Sequence, residues 1–160
     1  MQLFEMTFWR AIFLIGLTIL IILKYRDKLD ITKTLPAGII AFVLSFAGNI
    51  ALVQLKLISY NPKMMASKVF GVSLFQQISA GILIMIIFHY LPKKFSHTVL
   101  YLAGTAFIVD MIVYVAHELK VIKFIKWGLL ENFIFDFVAF LIIYALYQLL
   151  KKKYPVAGKI

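Results

Sequence analysis

The stretch from Trp127 to Leu150, WGLLENFIFDFVAFLIIYALYQLL, constrains the fold more than any other part of the chain. As a helix rising about 1.5 Å per residue it reaches roughly 36 Å, enough to cross a hydrocarbon core of about 30 Å. It nevertheless carries Glu131, Asn132 and Asp136. An ionisable side chain at bilayer depth costs roughly 2.5 to 3.5 kcal/mol on insertion scales unless something receives it. The rest of the chain is therefore expected to supply polar partners.

The 160 residues are 63% hydrophobic with a mean hydropathy of +0.96, too apolar for a soluble domain of this size to hide. The pattern predicts an all-α polytopic membrane protein: one domain, residues 1–160, with five transmembrane helices at about 7–23, 36–55, 69–91, 98–117 and 127–150. Glu5 and Arg10 stand where a signal peptide has a basic region, and KYRDK follows the first apolar run in place of a small-residue cleavage site. That run is expected to stay as span one. No internal repeat or Gly-rich linker divides the chain. The absence of cysteine excludes disulfides, Cys-ligated zinc, iron–sulfur clusters and thiol catalysis, and leaves the redox compartment open.

The net charge of +10 comes from Lys and Arg that lie mostly between the apolar runs. There they act as topology signals and as contacts for anionic lipid head groups, so the bilayer is the expected partner and nucleic acid is not. With the C-terminus inside, the inner side collects Lys24, Arg26, Lys28, Lys33, Lys93, Lys94, Lys151, Lys152, Lys153 and Lys159. Arg10, Lys56, Lys63, Lys68, Lys120, Lys123 and Lys126 then lie outside, as do Trp9 and Trp127 near the interface. The balance favours N-out, C-in.

Span one is almost wholly apolar between Ala11 and Leu23 and is expected outside the functional bundle. Pro36 is expected in the first turn of span two. Ala41, Ser45, Gly48 and Asn49 share one face of that span, where small residues permit close helix approach and Asn49 can bond across it. Span three places Ser73, Gln77 and Gly81 on one face, beside Gln76. Span four aligns Asp110, Tyr114 and His117, with Glu118 next in sequence, and the following ELKVIKFIKW reads as a short amphipathic interfacial turn. In span five Asn132 and Asp136 are one turn apart. Counted from the shared end, Asn49, Gln76, Gln77, Asp110 and Asp136 all fall roughly 9 to 13 Å deep. The candidate ligand- or proton-binding set is Asp110, Asp136, Asn132, Asn49, Gln76, Gln77, Tyr114 and Glu131, with His117 and Glu118 at the entrance.

No dinucleotide, P-loop, HExxH, GxSxG or paired-cysteine motif is present, and no metal site is expected. His89 and His97 flank one loop while His117 belongs to the other face, a poor arrangement for bis-histidine haem, and no cofactor is expected. Tyr60-Asn61, Leu91-Pro92, Leu100-Tyr101, Glu118, and Trp127 with Asp136 and Phe140 give the C-terminal two-thirds a pattern that resembles a family of small multi-pass membrane proteins of spore-forming Firmicutes. The resemblance implies a bacterial cytoplasmic membrane and no known activity.

Two readings of the polar layer stay open. It can fix the register of the bundle, or it can form an acidic pocket in the outer half of the bilayer that binds or passes a small cation, an amine or a proton. An assembly or scaffold subunit, with a membrane-protein partner or a second copy of the chain, is the alternative, and a membrane-embedded enzyme acting on lipid comes third.

Overall fold

The computed structural model describes residues 8–61 and 68–153. Five helices dominate: α1 (Phe8–Arg26), α2 (Ile31–Gln54), α3 (Leu74–His89), α4 (Phe95–Glu118) and α5 (Leu129–Lys153). Four of them, α1, α2, α4 and α5, are long and apolar enough to cross a membrane. Helix α3 is equally apolar but has only 16 residues.

Four short strands were not foreseen: β1 (Ile58–Tyr60), β2 (Lys68–Val69), β3 (Val72–Ser73) and β4 (Ile122–Phe124). Strands β2 and β3 form a hairpin that pairs Val69 with Val72 around Phe70 (φ 49) and Gly71 (φ 86). Two successive positive φ values are what a tight two-residue hairpin turn requires, and Gly71 adopts the second without steric cost. This hairpin occupies the start of the expected span three and delays α3 to Leu74.

The expected interfacial turn after α4 is instead a strand. Strand β4 pairs antiparallel with β1, Ile58 opposite Phe124 and Tyr60 opposite Ile122. Ile122 is buried and Lys123 exposed, the alternation of a strand rather than a helical face. Both strands are launched by the same device. At the end of α2, Lys56 N donates to Val53 O and Leu57 N to Leu52 O; at the end of α4, Lys120 N donates to His117 O and Val121 N to Ala116 O. Each lysine takes a left-handed φ, 56° and 59°, completing the six-to-one closure that ends many helices. Glycine usually fills that position, so the two lysines gave no stop signal.

Helix α2 begins earlier than Pro36. Asp30 Oδ1 accepts from Thr32 N at 3.1 Å and Lys33 N at 3.4 Å, capping the helix. Pro36 lies inside the helix, where its missing N–H forgoes a bond to the Thr32 carbonyl.

Helix α1 packs along α3, α3 along α2, α2 along α5, and α5 along α4. Span one stands at one end of this order, against α3, with Leu20 and Leu23 of α1 buried in one cluster with Met85 of α3. A close backbone approach joins α2 to α3. A Cβ on Gly81 would lie 2.9 Å from Gly38 O, and one on Gly38 would lie 3.0 Å from Gly81 O. Gly48 similarly receives the ring of Phe135 from α5, where a Cβ would meet Cζ at 2.7 Å.

Candidate functional site

The carboxyl of Asp110, on α4, and that of Asp136, on α5, are bridged by one amide. Asn132 Nδ2 donates to Asp110 Oδ1 at 2.8 Å and to Asp136 Oδ2 at 3.2 Å, and Asn132 Oδ1 accepts from Trp127 Nε1 at 3.4 Å. Asn132 and Asp110 are both buried. The i, i+4 spacing of Asn132 and Asp136 puts both on the α5 face that meets α4. The amide spends both its protons on carboxylates, while Asp110 Oδ2 and Asp136 Oδ1 accept no hydrogen bond among the described residues.

A second polar group sits on α2 and α3. Gln77 Oε1 accepts from Ser45 Oγ at 2.5 Å and from Asn49 Nδ2 at 3.3 Å, and Tyr60 OH donates to Asn49 Oδ1 at 2.8 Å. Burial pushes the Tyr60 phenol above its ordinary range, opposed by the nearby Gln76 and Gln77 amides and reinforced by the charge of Asp136. The two groups are thus electrostatic neighbours. Tyr60 and Ser45 were not among the predicted site residues. Ser45 was visible on the small-residue face of α2, whereas Tyr60 lies in what reads as a loop and is aimed inward only by the β1–β4 pairing.

Both groups border one cavity of about 270 Å³, walled by all five helices and by β1 and β4. Asn49, Gln76, Asn132 and Asp136 line it with Ser45, Ser79 and Trp9; the remainder of the wall is apolar, including Leu44, Leu83, Ile84, Phe140 and Ile143. Among the described residues, no Lys, Arg or His is in the wall. The one ion pair among the described residues, Lys33 with Asp30 at 2.9 Å, stands at the far ends of the helices. The Trp9 indole N–H, the Gln76 Oε1 and the Gln77 Nε2 are buried without a partner among the described residues, so the neighbourhood holds unspent hydrogen-bonding capacity on three side chains.

The remaining predicted residues lie elsewhere. Tyr114 is exposed on the outer face of α4, one turn from Glu118. Glu131 is exposed in the first turn of α5 beside Gly128. His117 stacks on Phe124 at 4.7 Å, and its Nδ1 is 3.3 Å from Ile122 O, so it braces β4 against α4. His117 also borders a shallow cleft with Ser59, Asn61, Lys120 and Lys123 on the other side of the strand pair from the main cavity.

Among known proteins, no family model matches the chain, and no curated protein or solved structure does. Function is therefore read from geometry. No group of three or more His, Asp or Glu among the described residues could hold a metal ion. What the site offers is two carboxylates with open acceptor positions, amide oxygens nearby, and an otherwise apolar enclosure. Such a set attracts a cation or an ammonium group and repels an anion.

Proposed function

We propose that this chain is a five-span protein of a bacterial cytoplasmic membrane, N-terminus outside and C-terminus inside, that binds or passes a small cation, an amine or a proton at Asp110 and Asp136. The observation that carries the reading is the pair of carboxylates tied by Asn132 beside a cavity whose wall, among the described residues, has no basic side chain. Uncompensated charge in such a place is costly, and a bound cation offsets that cost. Shortness does not count against α3 as a fifth span. Seven of its sixteen residues are buried and it packs between α1 and α2, so it need not match the lipid thickness by itself.

A second reading has its own support. Because Asn132 uses both protons within the cluster, Asp110, Asn132 and Asp136 can also serve as a register lock between α4 and α5. Calorimetric titration of methylammonium into the protein in phosphatidylcholine nanodiscs separates the two. Saturable binding supports the pocket. Heat no greater than that of empty nanodiscs leaves only the lock.

A further inference from the structure

The shape of the cavity says more about its occupant than its charge does. Below Asn49, Gln76 and Asp136 the wall continues along four of the helices: to Ala41 on α2, to Ile86 on α3, to Ile143 on α5 and to Ile19 on α1. From Trp9 to Ile19, or from Gln76 to Ile86, a helix advances about 15 Å. The enclosure is therefore a slot, polar at one end and lined by Leu, Ile, Ala and Phe along the rest.

The slot is also open sideways. Helix α1 packs along α3 and α4 packs along α5, but α1 and α4 are not a closely packed pair. Their near ends are joined where Trp9 meets Val113 and Ala116 in one buried cluster. Further along, Ile15 and Ile19 line the slot and yet are 56% and 41% exposed, so the same side chains border the interior and the outer apolar surface of the helices. In a bilayer that surface is hydrocarbon.

A hydrated inorganic ion gains nothing from such a wall, and a purely apolar molecule leaves the carboxylates unanswered. The geometry points to a single-chain cationic amphiphile: an alkyl ammonium whose head group lies against Asp136, with Asp110 adding its charge from behind Asn132, and whose chain runs down the slot, admitted from the bilayer between α1 and α4. A phospholipid is disfavoured, because its phosphate would enter an acidic pocket that has no basic side chain among the described residues. This inference rests on the cation-binding reading of the same site and adds the class of ligand and its route.

The chain has two tryptophans, and Trp9 lines the slot. Bromine on an alkyl chain quenches indole fluorescence on contact, so Trp9 reports the arrival of the chain itself. Protein in phosphatidylcholine nanodiscs is titrated with a bromododecylamine, with the bromododecanol of equal length, and with methylammonium as competitor, and the quenching left in the Trp9→Phe variant, where Trp127 emits alone, is subtracted. The expected result is saturable quenching by the long amine, at least about tenfold weaker apparent affinity for the alcohol, and displacement by methylammonium only at concentrations at least about tenfold higher than the long amine. The variant Ala139→Phe, which fills the slot beneath Asp136, should abolish quenching by the long amine while calorimetric methylammonium binding persists. If methylammonium competes as well as the long amine, the amphiphile is wrong and the cation pocket stands. Equal quenching by alcohol and amine, or no saturable binding of any of the three, overturns the pocket as well.

Discussion

Gly38 of α2 and Gly81 of α3 face each other with each carbonyl oxygen against the other residue's Cα: an added Cβ would sit 3.0 Å from Gly81 O in one direction and 2.9 Å from Gly38 O in the other. The contacted atoms are backbone and cannot swing aside. The Gly81→Ala variant should separate α2 from α3 and cost about 1 to 3 kcal/mol, the usual range for overpacking. Gly104, whose added Cβ meets nothing within 4 Å, is the control, and Gly104→Ala should leave the protein at least as stable. Thermal unfolding of the two variants in the same micelles compares them directly.

Tyr60 ties the strand pair to the helices through its bond to Asn49. The Tyr60→Phe variant removes the donor and leaves the Asn49 carbonyl oxygen unpaired, for an expected loss of about 1 to 3 kcal/mol. The phenol is also held neutral by burial, above its ordinary value of 10.0. Its contribution is thus complete below about pH 10 and shrinks above it, as the unfolded chain ionises while the folded one does not. Unfolding temperatures across this alkaline range should fall faster for the native sequence than for Tyr60→Phe; parallel curves would argue against a buried phenol.

At the opposite end of the helices, Asp30 caps α2. Hydrogen bonds from Thr32 and Lys33, with the Lys33 ammonium beside it, hold its carboxyl down to about 2. A lowered value means that stabilisation is present above the unfolded value of 3.8 and is lost as the pH drops through about 2. The Asp30→Ala variant should consequently unfold earlier than the native sequence near neutral pH, and the gap should close between about pH 4 and pH 2. A gap that persists at pH 2 would remove the ionised cap from the explanation.

Orientation is open to chemical labelling because the native chain has no cysteine to confuse it. Lys94 and Lys123 are exposed at opposite ends of α4 and its following strand. In intact cells the proposed topology has Lys123→Cys react with a membrane-impermeant maleimide and Lys94→Cys react only after the membrane is opened. The reverse pattern would turn the protein over.

Four of the long apolar helices were legible from composition and length, and so was the cross-helix role of the small residues, because Gly48 and Gly81 stand at helical spacing from polar neighbours. Asn132 and Asp136 were legible for the same reason. The strands were not. Lys56 and Lys120 end their helices in a conformation that glycine normally announces, and Val69 to Ser73 continue the apolar run of α3 without interruption. Tyr114 lies away from the cavity that Asp136 lines. It follows Asp110 by four residues, but Val113, three along, takes the buried position and turns Tyr114 outward. The part of Trp9 in the cavity could not be seen either, since it depends on how α1 leans against α3.

Asp136 is where the pocket and the register lock diverge most. Asparagine keeps the shape of the side chain and removes the charge, so Asp136→Asn and Asp110→Asn preserve packing in either case. The deciding measurement is the affinity of these two variants for dodecylammonium in phosphatidylcholine nanodiscs, read beside their unfolding temperatures. The account predicts folded proteins with native-like unfolding temperatures and at least about tenfold weaker binding, equivalent to about 1.4 kcal/mol, with the greater loss for Asp136→Asn. Undiminished binding by both variants, with folding intact, would contradict it.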